Sequence, residues 1–146
     1  MDFNPHPPLS AFPLVIVSLL VLLELAQIKL KSEKVSTATL VFVVCSLVIT
    51  PLTFLSGYLG KEHANKTFKI NPDLIEHHKL YAQALLISLV PLAVFYYLLL
   101  AEKARKLFYY LSLALVFGLV SFTGYKGGSL VFVHGAAVEA SVKGDQ

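Results

Sequence analysis

The sequence contains four apolar stretches that are each long enough to cross a membrane as a helix. A bilayer core about 30 Å thick needs roughly 20 apolar residues at a rise of 1.5 Å per residue. The stretches run over about 12–30, 35–59, 80–101 and 107–133. Transmembrane barrel strands are about ten residues long and alternate strictly, and the sequence lacks that pattern. It therefore predicts a single all-α transmembrane domain, an up-down four-helix bundle.

Composition excludes several other classes of protein. Charged residues make up only 14% of the chain, against about 25% in soluble domains. The net charge of +3 is left over from 12 basic and 9 acidic residues without a basic run, so we expect no nucleic-acid partner. Cys45 is the only cysteine, which excludes an internal disulfide and the two-cysteine attachment of a c-type haem.

Enzyme chemistry has little support in the sequence. It contains neither a nucleophile elbow nor a phosphate-binding glycine loop. Among the predicted spans the acidic side chain that could mark an ion path is Glu24, and it lies close enough to Lys29 to snorkel or pair at the membrane surface. The tyrosine pairs at 96–97 and 109–110 are typical of an aromatic belt. An electron-transfer or accessory subunit is favoured over a stand-alone enzyme.

The short loops indicate the orientation. The loops after the first and third spans read K-S-E-K and E-K-A-R-K, and with Lys29 they carry six basic residues. The other side also carries six, but four of these lie in the longer loop between the second and third spans and one in the C-terminal tail, where the positive-inside rule counts less. We therefore expect both termini outside the cytoplasm. Because no basic residue precedes Lys29, the first span is expected to be retained rather than cleaved as a signal peptide.

All five histidines fall on that outer side. They are His6, His63, His77, His78 and His134. Neutral imidazole is the commonest metal ligand, and bundles build cofactor sites from side chains on facing helices. The alternative for each is a hydrogen-bonded histidine at the membrane interface, and His63, among charged neighbours, fits that alternative best.

Helical spacing relates two of these histidines to their neighbours. At 100° per residue, Gly127 lies on the face of His134 and would leave room there for a flat ring, although G-Y-K-G-G also suits helix packing. At the start of the third span, His77 lies on the same helical face as a stripe of small residues. His78 continues into Ala82, Leu85 and Leu89. Periodicity favours His77 slightly.

The two ends of the chain resemble a known family. The opening H-P-P-L-S-A-F-P (residues 6–13) and the closing G-Y-K-G-G-S-L-V-F-V-H-G (residues 124–135) are similar to those of bacterial four-helix membrane domains of unknown function. Members of that family occur fused to or beside Rieske-type and cytochrome modules. The resemblance covers nearly the whole chain, including Gly57 after the second span and a histidine at the start of the third.

The resemblance implies a set of site residues. The matching positions are His6, Gly127, Gly128, His134 and Gly135, and the histidine of the third span falls on His78, which we follow over His77. Ala11 stands where the family often has a second histidine, so one candidate ligand is lost, and Tyr125 replaces the usual tryptophan. The Rieske-type and cytochrome modules found with members of this family imply a redox function in a bacterial inner membrane.

Together these features predict a small membrane subunit that binds b-type haem and takes part in electron transfer. The expected haem ligands are His78 and His134, and His6 is the candidate to replace one of them. Gly127 is expected to lie beneath the haem ring. His77 and His63 are alternative ligands for a metal ion. Expected partners are membrane lipid, redox proteins or a larger membrane complex, and a quinol. The alternative is a structural or assembly subunit of a respiratory or photosynthetic complex without its own cofactor.

Overall fold

The described part of the chain consists of four long helices and one short helix. A computed structural model describes residues 6–68, 71–102 and 106–133. The helices are α1 (His6–Leu9), α2 (Phe12–Leu30), α3 (Glu33–Phe68), α4 (Pro72–Leu100) and α5 (Lys106–Phe132). Each of the four long helices contains a segment long and apolar enough to span a membrane. The prediction of an all-α membrane four-helix bundle is confirmed.

Two helices extend beyond the apolar stretches. The helix α4 begins at Pro72, eight residues before the predicted span, because the Asn71 side chain accepts a hydrogen bond of 2.9 Å from the Asp73 amide. Asparagine at the N-cap followed by proline is a favoured helix start. The helix α3 continues to Phe68, although its apolar segment ends at Gly60. The apolar residues indicate which part of a helix lies in the membrane, whereas the N-cap at Asn71 determines where α4 begins.

The long helices form a closed ring. The helix α2 packs against α3 and α5, and α4 packs against the same two helices, while α1 lies on α3. A tight turn joins α2 to α3: Lys31 adopts a left-handed conformation with φ 45° and donates its amide to the Gln27 carbonyl at 3.1 Å. This short connection places the two helices antiparallel and adjacent.

The helix α3 presents small side chains to the bundle, most of them polar. Its buried positions follow one another every three or four residues, as expected for one helical face. They are Thr39, Val43, Ser46, Thr50, Thr53 and Ser56. Ser46 satisfies its hydroxyl on the Val43 carbonyl at 2.7 Å. Lipid tails are as apolar as a protein core, so close packing of small residues is what holds membrane helices together.

The other three helices supply the larger core side chains. The fully buried ones include Val17, Leu20, Leu92, Tyr109 and Val116. On the outside, the described helices expose leucine, valine and isoleucine; Ile87, for example, is 71% exposed. Such a surface suits lipid and not water.

A buried polar pair joins α2 to α5 near the basic loops. Tyr109 is completely buried and donates its hydroxyl to Glu24 Oε1 at 3.0 Å. Glu24 is only 9% exposed, so it points into the bundle instead of snorkelling towards Lys29. The Tyr96 ring from α4 packs on Tyr109 with 5.4 Å between ring centroids. The tyrosines that the sequence assigns to a belt thus include two core residues.

Tyr109→Phe should destabilise the bundle. The substitution removes the hydroxyl that Glu24 accepts from and leaves a buried carboxyl short of a donor, at a cost of about 1–3 kcal/mol. Tyr97→Phe is the matched control because Tyr97 is 69% exposed. Thermal unfolding in detergent, followed by circular dichroism, measures both. Equal melting temperatures for the two variants would contradict a structural role for the Glu24–Tyr109 bond.

Candidate functional site

Two histidine rings meet at the end of the bundle away from the basic loops. His6 comes from α1 and His78 from the second turn of α4. Their ring centroids are 6.5 Å apart and their planes are inclined at 66°. Both side chains are half-buried. The fold therefore brings together two imidazoles that are 72 residues apart in the sequence.

The helix α3 orients His6. Its Nδ1 lies 3.2 Å from the Thr53 carbonyl oxygen and 3.0 Å from Ser56 Oγ. Ser56 donates its own hydroxyl to the same carbonyl at 2.7 Å, so both atoms facing Nδ1 are acceptors. This network assigns the proton to Nδ1 and the lone pair to Nε2. It is the arrangement in which metal-ligating histidines are usually held, with the second ring nitrogen donating to a carbonyl.

Electrostatics favour the neutral form of His6. Burial lowers the pKa of His6 below its ordinary value because the imidazolium would be poorly solvated, and the hydrogen bond to Thr53 offsets this only in part. Neutral imidazole is the form that coordinates metals.

Two glycines make room for the two rings. A Cβ atom built on Gly57 would lie 2.7 Å from Cε1 of His6, and one built on Gly127 would lie 3.0 Å from Cε1 of His78. Both distances are shorter than ordinary carbon contacts of about 3.5–4.0 Å. The sequence predicts that Gly127 leaves clearance for a flat ring beneath His134, whereas in the structure the His78 ring of α4 lies against Gly127.

His78 carries a buried nitrogen without a partner. Within the part of the chain that the structure describes, its Nδ1 has no hydrogen-bond partner. Buried polar atoms are nearly always hydrogen-bonded, because leaving one unpaired costs free energy. An orphaned imidazole nitrogen beside a second histidine is therefore the strongest mark of a ligand site in this protein.

Among the remaining candidate histidines, the structure describes the side chain of His77 alone. His77 is exposed, because the inward face of α4 runs from His78 to Leu85 and Leu92 at intervals of seven residues. His63 lies on α3, but its side chain is outside the described residues, as is the whole of His134. Over residues 6–68, 71–102 and 106–133, no three histidine, cysteine or acidic side chains come together as a metal site.

Sequence reasoning did not identify the contacts that hold His6. These contacts come from the face of α3 that packs into the bundle, at the end where the histidines lie: Thr53, Ser56 and Gly57. Their spacing of three or four residues is visible in the sequence as a helix-packing pattern. The sequence does not show that α1 folds back onto that face, because α1 is four residues long and has no apolar periodicity of its own.

Comparison with known proteins adds no relative. No family model, no curated protein and no solved structure matches this chain.

Gly57→Ala should disturb the histidine pair more than Gly127→Ala. The new methyl group on Gly57 would displace the His6 ring and break its bonds to Thr53 and Ser56, and we expect a loss of about 1–3 kcal/mol in stability. Gly118→Ala is the matched control, since a Cβ there meets nothing within 4 Å. Thermal unfolding in detergent measures the three variants. If Gly57→Ala unfolds like Gly118→Ala, the packing of His6 on Gly57 is wrong.

Proposed function

We propose that this protein is a small membrane subunit that binds b-type haem through histidines at one end of its bundle and takes part in electron transfer. The observation that carries the proposal is the pairing of His6 with His78. Bonds from one metal atom to two imidazole nitrogens are about 2.0–2.1 Å each. With about 1 Å more from each nitrogen to its ring centre, the rings would be roughly 6 Å apart, close to the 6.5 Å found between their centroids.

Each side chain of the site has a definite role in this proposal. His6 would offer Nε2 because Thr53 and Ser56 hold its Nδ1 proton, and His78 would offer a nitrogen that is otherwise unpaired. Gly57 and Gly127 leave room for the rings. His134 remains the other candidate partner of His78. A haem held by two histidines supplies one-electron transfer without an open iron position.

The setting suits a redox subunit of a bacterial inner membrane with both termini in the periplasm. The basic short loops support that orientation. The resemblance of the two chain ends to domains found beside Rieske-type and cytochrome modules supports redox protein partners. A membrane quinol is the natural electron donor in this setting, and a larger membrane complex is the natural host.

A structural or assembly subunit is the second candidate. The large exposed side chains on the described helices favour it, because an apolar surface can pack against other membrane subunits as well as against lipid. On this alternative the histidine pair would serve only to fasten α1 to the bundle.

An absorption spectrum of the purified protein tests the haem proposal. Protein from haem-replete cells should show a reduced-minus-oxidised haem difference spectrum. Replacing His6 or His78 by Ala should abolish the spectrum, whereas His63→Ala and His77→Ala, the latter at an exposed position, should retain it. Loss in His134→Ala with retention in His6→Ala would make His134 the second ligand. An absent Soret band in the natural protein would refute haem binding.

Single cysteines test the orientation. Because Cys45 is the only native cysteine, Cys45→Ala gives a background in which Asp73→Cys and Glu102→Cys can be compared; both positions are exposed and lie at opposite ends of α4. A membrane-impermeant maleimide should label Asp73→Cys in intact spheroplasts, and Glu102→Cys only after the membrane is opened. The reverse pattern would place the termini in the cytoplasm.

A further inference from the structure

A groove opens between α2 and α5 at the end opposite the histidines. Its volume is about 320 Å³, and its walls include Val21, Glu24 and Leu25 of α2 and Tyr110, Ala114 and Phe117 of α5. That volume is at the lower end of small-molecule sites, which begin at about 300 Å³, so it suits a single ring with part of a tail. Leu25 is 56% exposed, and the groove is therefore open to the lipid.

The walls are apolar apart from one polar corner. Glu24 Oε1 accepts the Tyr109 hydroxyl at 3.0 Å, and the Tyr110 hydroxyl also faces the Glu24 carboxyl group. A carboxylate offers about four acceptor positions. Two tyrosines do not fill these positions, and Glu24 is among the residues that line the groove. An acidic side chain at membrane depth is costly and is a functional-site hypothesis by default.

The position of this corner limits what can reach it. Glu24 lies six residues before the end of α2 at Leu30, about 9 Å along the helix axis. A ligand entering from the lipid would place its polar head near the membrane surface and its tail among the acyl chains. The rings of Tyr110 and Phe117 give the groove aromatic walls, which suit a flat aromatic head. A plain acyl chain would fill the space but would give Glu24 no donor.

We propose that the groove between α2 and α5 binds the hydroxylated aromatic ring of a quinol-class lipid, with the Glu24 carboxyl group accepting a hydrogen bond from a ring hydroxyl. Tyr109 keeps the carboxyl group in place by donating to it, and Tyr110 lines the groove beside it. The site is separate from the histidine pair, since the 18 residues of α5 between Tyr109 and Gly127 span about 27 Å. The choice of a quinol rests on the proposed redox function, while the groove and its acceptor do not depend on haem.

Calorimetric titration of the full chain in phosphatidylcholine nanodiscs tests this site. The probes are a short-chain ubiquinol analogue, kept reduced, and its dimethyl ether, which has the same ring without a hydroxyl. The quinol should bind about 10- to 100-fold more tightly than the ether, as expected when the ether leaves a buried acceptor unpaired. Equal affinity for the two probes would mean an apolar groove that any lipid fills, and would overturn the proposal, as would failure of the quinol to bind.

Three variants localise the binding. Glu24→Gln should lower the affinity for the quinol about tenfold and leave the ether unchanged. Ala114→Phe should fill the groove and weaken both probes, and Val15→Phe, on the exposed face of the same helix α2, should weaken neither. Preferential quinol binding that survives both Glu24→Gln and Ala114→Phe would place the site elsewhere and overturn the assignment. The haem spectrum is measured on the same samples, so failure of one proposal is seen independently of the other.

Discussion

The lack of water in the hydrocarbon layer is the constraint on which the rest of this structure depends. Every backbone donor and acceptor at that depth must be satisfied within its own segment, and helices do so. Since lipid and core are equally apolar, hydrophobicity cannot tell the four helices how to pack. Close contacts of small residues and a few polar bonds must do so. The clearest of these contacts are the small buried side chains of α3 and the hydrogen bond from Tyr109 to Glu24.

The two candidate sites lie at opposite ends of the bundle. At one end, α1, α3 and α4 bring His6, Thr53 and His78 together. Gly57 and Gly127 leave space for the two imidazole rings because they have no side chains. At the other end, α2 and α5 bury Glu24 against tyrosine. Both ends combine a buried ionisable group with a partner from another helix. This is the pattern expected where a membrane protein binds something other than lipid.

Part of the fold and of the candidate sites could be predicted from the sequence, and part could not. The four spans follow from the lengths of the apolar stretches, and the start of α4 follows from Asn71 and Pro72. Spacing alone slightly favours His77, whose stripe of small residues suits a helix interface, but the structure leaves His77 exposed and turns His78 towards His6. Glu24 was visible as the acidic residue of a span, but its inward direction depends on a tyrosine 85 residues away.

By itself, the sequence determined that this chain is a four-helix membrane protein, because the length and apolarity of each segment decide whether it crosses a bilayer. It also determined which side chains are available for chemistry at each end. Only the tertiary structure decided which of them meet. His6 reaches His78 because α1 folds onto α3 and because Gly57 and Gly127 lack side chains where the rings lie. Such meetings depend on contacts between helices far apart in the chain, and local patterns do not encode them.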